Sequence, residues 1–277
     1  MKAKRMMNKV LKRLLLAASM CCFVTTANAM PMGDATAAYR RGDYAQALEI
    51  LRPLAAQGNA SAQHFIGNMY NVGHGVTQSD LEALKWYRLA AAQGDVVAQF
   101  SSGLKYKAGL GGVTQDYQEA LKWFRLSAAQ GFSIAQYNLG MMYSNGLGVT
   151  QDYQEALKWY RLAAARGFSL PQYDLGVMYD QGQGVPQNYK EAFKWYRLAA
   201  AQGHAMAQFN LGWMYGSGQG VPPDYVRAHM WFNLASAAGY ADGAKNRDVT
   251  AQRMTPQQIE KAQEMARKCQ ERNFKGC

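Results

Sequence analysis

Ser102-Gly103-Leu104-Lys105 is the one stretch that spells a nucleophile arrangement, since a serine and a lysine three apart share a helix face. There the amine could take the hydroxyl proton during attack on an acyl group. The serine-aspartate-asparagine and lysine-threonine-glycine stretches that complete such a site are absent from the chain. His64, His74, His204 and His229 stand in four different local contexts without ligand spacing, so they build no zinc site. His64 replaces an aromatic that is Phe100, Tyr137, Tyr173 or Phe209 in parallel stretches, which reads as a packed ring. The loops Gly73-His74-Gly75, Gly146-Leu147-Gly148, Gly182-Gln183-Gly184 and Gly218-Gln219-Gly220 lack a lysine-serine or lysine-threonine ending and follow no strand. They are therefore not phosphate cradles. No carboxylate pair or triad assembles at a useful spacing. The chemistry-bearing residues predict no metal, no cofactor and no enzyme.

The 277 residues carry a formal net charge of +11. Six basic residues (Lys2, Lys4, Arg5, Lys9, Lys12 and Arg13) lie at the front, before an apolar run from Leu14 through Val24 and the small-residue site Ala27-Asn28-Ala29. That order predicts a cleaved secretory leader at residues 1–29 rather than a membrane span, for which the run is short. Met20 before Cys21 argues against a lipoprotein. Without the leader, 24 basic residues face 19 acidic ones, so the expected mature chain carries +5. That is ordinary surface charge and calls for no nucleic acid. Of four cysteines only Cys269 and Cys277 remain, eight apart, and an exported chain would join them in a disulfide. Closing that small loop stabilises by about 2–3 kcal/mol. The chain is then expected in the periplasm or medium, with no transmembrane segment after cleavage and as a monomer.

What positions these residues is a period of 36. Trp86, Trp123, Trp159, Trp195 and Trp231 mark it, with one extra residue near Gly111-Gly112. The units run 60–95, 96–132, 133–168, 169–204 and 205–240, after a degenerate unit 34–59 whose Gly42-Asp43-Tyr44-Ala45-Gln46-Ala47-Leu48 matches the start of a second helix. Gly67, Gly103, Gly140, Gly176 and Gly212 sit mid-helix, where glycine costs about 1 kcal/mol against alanine. Repeating that cost five times predicts close helix contacts in which the missing side chain admits an aromatic neighbour. Ala83, Ala120, Ala156, Ala192 and Ala228 do the same on the second helix, and Tyr70, Tyr106, Tyr143, Tyr179 and Tyr215 close the first. Ser79 with Glu82, Asp116 with Glu119, Asp152 with Glu155, Asn188 with Glu191 and Asp43 with Gln46 fit capping boxes, whereas Asp224 meets Arg227. Beyond Tyr240 the pattern breaks. Thr255-Pro256 starts a helix whose stripe Ile259, Ala262, Met265, Ala266 and Cys269 would cover the end of the stack, making 241–277 a C-terminal cap.

The sequence Ala135-x-x-x-Leu139-Gly140-x-Met142-Tyr143, then Gly146-x-Gly148-Val149, then Asp152-Tyr153-x-x-Ala156-x-x-Trp159-Tyr160 resembles the Sel-1-like repeat, a relative of the tetratricopeptide repeat. The resemblance covers roughly residues 36–240. It implies an all-α fold: an α/α-superhelical solenoid of TPR-like helical hairpins with a C-terminal capping helix. It implies adaptor work without shared catalytic residues, in a family whose exported bacterial members include host-interaction proteins, one of them binding immunoglobulin A. A cysteine-rich branch binds or hydrolyses penicillins, and this chain lacks the cysteine pairs inside the repeat that mark that branch. The second unit departs most, with Ser102 for leucine and Lys105 for methionine.

Two faces compete for a protein or peptide partner. The resemblance implies that first helices line the concave surface, where the varying positions are Ser101, Asn138, Asp174, Asn210 and, three residues on, Leu104, Met141, Val177, Trp213. Asn138, Met141, Asp174, Asn210 and Trp213 are the binding candidates, with Trp213 as the hot spot. The second choice is a basic column, Lys85, Arg88, Lys122, Arg125, Lys158, Arg161, Lys194 and Arg197, suited to a polyanion or glycan. Against it, Glu82, Glu119, Glu155 and Glu191 lie three residues before each lysine and can pair with it.

Overall fold

The computed structural model describes residues 29–277. The expected leader lies outside the described residues up to residue 28. Fourteen helices make up the described chain: α1 Ala29–Arg40, α2 Tyr44–Ala56, α3 Ala60–Val72, α4 Asp80–Ala92, α5 Val96–Ala108, α6 Tyr117–Ala129, α7 Ser133–Asn145, α8 Tyr153–Ala164, α9 Ser169–Gln181, α10 Tyr189–Ala200, α11 Ala205–Ser217, α12 Tyr225–Ala237, α13 Ala241–Ala251 and α14 Pro256–Glu271. Within each unit they pack as sequential hairpins, α1 on α2, α3 on α4, α7 on α8, α9 on α10 and α11 on α12. The chain divides into two compact units, one ending at Ser127 and one starting at Ala128, so the division falls in the last turn of α6.

Within a hairpin the mid-helix glycines do what their cost implied. A Cβ on Gly140 would lie 2.6 Å from both Cδ1 and Cε1 of Tyr160, and one on Gly67 would lie 2.7 Å from Cδ1 of Tyr87. The aromatic admitted is thus the residue after each marker tryptophan, and Tyr87, Phe124, Tyr160, Tyr196 and Phe232 are all buried. Beneath them lie Ile66, Leu139, Leu175 and Leu211 with Met69, Met142, Met178 and Met214, none more than 2% exposed. The helix-ending Gly146 is left-handed at φ 65°. At Gly220 a side chain would strike the backbone of the preceding hairpin, since its Cβ would sit 2.7 Å from the Tyr189 carbonyl carbon.

The capping boxes form only by half. Ser79, Asp116, Asp152 and Asn188 each accept from the N–H three residues on, at 2.9–3.2 Å. The reciprocal bond is missing because the cap residue's own N–H already donates to the tyrosine carbonyl closing the preceding helix: Ser79 to Tyr70, Asp116 to Tyr106, Asp152 to Tyr143 and Asn188 to Tyr179. The glutamates turn forward to lysine instead, Glu82 to Lys85 at 2.6 Å and Glu119 to Lys122 at 2.7 Å. The Thr255 N–H donates to no carbonyl of the helix before it, and there the full box with Gln258 appears.

Successive hairpins are joined by a residue the sequence reading passed over. Gln63, Gln99, Gln136, Gln172 and Gln208 are buried, and each Nε2 donates to the carbonyl of Ala55, Ala91, Ala128, Ala164 or Ala200, at 3.0–3.4 Å. These carbonyls lie in the last turn of the preceding second helix, where no partner exists within the helix. Recurrence of glutamine every 36 residues was the available signal. At the end of the chain two helices stand where one was expected. α13 packs on α12 through Gly243, whose Cβ would lie 2.6 Å from the Ser236 nitrogen. α14 packs on α12 as well and buries Ala262, Ala266 and Cys269. Cys269 and Cys277 are joined, with Cα atoms 5.7 Å apart.

Candidate functional site

The serine–lysine pair is not assembled for chemistry. Ser102 is fully buried and its Oγ has no hydrogen-bond partner. Lys105 turns from it to an ion pair with Asp80 and donates to Asn71 Oδ1 at 2.6 Å. It stands where the other hairpins bury methionine, so a desolvated ammonium replaces an apolar contact. Asp80 opens α4 and is partly solvated, so it tolerates loss of its partner. Lys105→Met is accordingly expected to stabilise by about 1 kcal/mol in urea unfolding. A loss of that size instead would mean that the ion pair itself holds α4 to α5.

The basic column is exposed in both units: Lys85, Arg88, Lys122 and Arg125 in the first, Lys158, Arg161, Lys194 and Arg197 in the second. Each of its lysines is tied to a glutamate of its own helix, Lys158 to Glu155 at 2.5 Å and Lys194 to Glu191 like the two already described. The hydrogen bond to Glu119 raises Lys122 above its ordinary range, as that to Glu155 raises Lys158. Arg161 donates to the Tyr179 hydroxyl at 2.5 Å. The lysines of the column are thus neutralised within their own helices, and its charge rests on the arginines.

The polar column of the first helices is largely spent inside the second unit. Asn138 is buried and its amide donates to the Ile134 carbonyl at 2.9 Å, so it leaves the set of contact residues. Asp174 is half-buried and accepts from the Tyr137 hydroxyl, and desolvation pushes its carboxyl up to about 6. Asn210 is hydrogen-bonded with Tyr173 and Tyr196, whose hydroxyls burial pushes up. Ring stacking continues the layer, with Tyr173 and His204 centroids 4.6 Å apart. The reason is geometric: these positions lie two residues before the mid-helix glycine, where Asp174 and Asn210 meet tyrosines of the preceding hairpin. Met141 is half-buried.

Trp213 is different. It is 55% exposed, more than any other large hydrophobic residue among those described. It borders a cavity of about 320 Å³ that Gly216 and Ser217 of α11, Tyr225 and Phe232 of α12, Asn246, Val249 and Thr250 of α13, and Arg253 also line. The polar walls are mostly satisfied at home: Thr250 donates to the Asn246 carbonyl at 2.7 Å, and the Asn246 amide to the Asp242 carbonyl at 2.9 Å. What faces the opening is apolar surface with one guanidinium beside it. Sequence reading found Trp213 but not its surroundings, because α13 carries no hydrophobic period that would place Val249 and Arg253 opposite it. Among the described residues no group of three histidine, cysteine or carboxylate side chains could hold a metal, and no helix is long and apolar enough to cross a membrane.

The family model for the Sel1 repeat matches residues 60–95, 96–132, 133–168, 172–204 and 205–240. A Sel1 repeat protein of Oxalobacter formigenes, solved as a crystal structure, is 33% identical to this chain. It superposes with a TM-score of 0.73 over 85% of this chain and 96% of that one. An immunity protein of Pseudomonas aeruginosa is 21% identical with a TM-score of 0.44, over 75% and 83% of the two chains. An exopolysaccharide production negative regulator of Rhizobium leguminosarum bv. viciae is 42% identical over 57 residues. That match spans 21% of the regulator's length and 21% of this chain.

Proposed function

The chain belongs to the Sel1 repeat family, and on that premise we propose that it is a non-catalytic scaffold docking a protein or peptide segment around Trp213. The observation that carries this reading is an indole 55% exposed at the mouth of an apolar cavity. A solvated tryptophan beside unfilled apolar surface gains most from a partner that removes both from water. The scaffold residues around it repeat, so recognition resides where the copies differ: Trp213, with Met141 as a lesser contact. Asp174 and Asn210 act from beneath by holding the tyrosine layer.

We place the working protein outside the cytoplasm. The basic and apolar front of the chain fits an export leader, and the Cys269–Cys277 disulfide fits an oxidising compartment. A polyanion-binding column has less support, since its lysines are paired within their helices. An acyl-transfer reading has less still, with Ser102 buried and apart from Lys105. Crosslinked capture from periplasm and medium, comparing wild type with Trp213→Ala, tests the docking reading. Recovery of the specific partner is expected to fall at least about tenfold, the loss of a hot-spot aromatic. Identical partners at identical yield from both proteins would overturn the assignment.

A further inference from the structure

The walls of the Trp213 cavity also constrain what enters it. Trp213, Val249 and Phe232 present apolar surface, and no aspartate or glutamate lines the space. The lone charge is Arg253, which is exposed and pairs with no carboxylate among the described residues. Its neighbour Arg247 behaves otherwise, holding Asp248 at 2.8 Å and so removing the nearby acid. Arg253 is also held in place. Its Nη1 donates to the Tyr225 hydroxyl at 3.1 Å, and its guanidinium carbon lies 5.7 Å from the Tyr225 ring centroid. That leaves Nε and Nη2 available to an incoming acceptor at little cost in side-chain freedom.

We infer that the cavity takes a large aliphatic or aromatic side chain from an extended partner segment, with a carboxylate one or two residues away meeting Arg253. This rests on the docking reading above and adds the chemistry of the segment. A cavity of about 320 Å³ suits one such side chain. A fixed guanidinium with two open donors is the group that best matches a carboxylate. A basic or neutral flank would leave Arg253 unpaired beside desolvated surface. Charge complementarity therefore selects an acidic segment over others with the same anchor.

The test uses the purified chain with 5-fluorotryptophan at its six tryptophans, the Trp213 signal being assigned through Trp213→Phe. Three blocked pentapeptides serve as probes, identical but for Leu–Glu, Leu–Gln or Ser–Glu at the centre. The Leu–Glu peptide is expected to shift the Trp213 fluorine resonance and to bind about fivefold more tightly than Leu–Gln. Ser–Glu should bind more weakly than either. Arg253→Gln should equalise Leu–Glu and Leu–Gln while leaving Leu–Gln affinity as it was. Equal affinity of those two peptides for the wild-type chain would overturn the acidic part, and so would a difference that survives Arg253→Gln. If none of the peptides moves the Trp213 signal while Trp213→Ala still loses its captured partner, the segment chemistry is wrong and the docking reading stands. If peptides bind as expected but capture is unchanged by Trp213→Ala, the docking reading falls and the cavity's preference stands.

Discussion

Gly140→Ala is expected to cost about 3 kcal/mol in unfolding free energy, although alanine is the better helix former. Its Cβ would lie 2.6 Å from two ring carbons of Tyr160, which is 4% exposed and has no free space to retreat into. Tyr160→Leu alone should cost a similar amount by leaving a cavity. Together the two changes should cost at least about 1 kcal/mol less than their sum, because the smaller side chain clears the place that the new methyl needs. Gly216→Ala is the control. Its Cβ would meet nothing closer than Ala228 Cβ at 3.8 Å, so it should be neutral or gain up to about 1 kcal/mol of helix propensity. Urea unfolding of the four variants decides the matter. Equal effects at Gly140 and Gly216, or full additivity with Tyr160→Leu, would remove steric fit as the reason for the repeated glycine.

Asp174→Asn is expected to stabilise the chain at neutral pH and to do little in acid. Burial raises the Asp174 carboxyl to about 6, with the Tyr137 hydrogen bond opposing that rise, whereas an unfolded aspartate titrates near 3.9. Between those values the folded chain binds a proton that the unfolded chain has released. Stability from this group is therefore full below about pH 4, declines as pH rises, and is lost above about pH 6. At pH 7 the ionised Asp174 thus destabilises by about 3 kcal/mol, which asparagine would return as roughly 6–12 °C in melting temperature. At pH 4 the two proteins should melt together. Other groups titrate nearby: Asp180 is raised by burial and His204 lowered by it. Both are common to the two proteins, so the difference between them isolates Asp174. A gain of equal size at both pH values would show that asparagine acts through packing and not through charge.

The polar column illustrates why function was harder to read than fold. Asn138, Asp174 and Asn210 vary while their surroundings repeat, which is the pattern expected of a contact surface. Burial and hydrogen bonding instead turn all three into partners of tyrosines or of their own helix. The capping residues teach the same lesson. Aspartate and glutamate at box spacing are legible in the chain, but the tyrosine carbonyl that takes the cap's N–H belongs to a helix about ten residues earlier.

The sequence by itself determined the helical hairpin, its period and the places where helices touch most closely. Those properties are local and repeated, so five copies of glycine, alanine, tyrosine and tryptophan state each requirement five times. It also singled out Trp213, as a large aromatic where the other copies carry leucine, methionine or valine. Only the tertiary structure decided that Ser102 and Lys105 do not act together, that the glutamines join hairpin to hairpin, and that Trp213 opens a cavity with Arg253 at its side. Those outcomes depend on which groups from different helices reach one another, and on how much water each loses in doing so. Neither is written in the order of residues along any one helix.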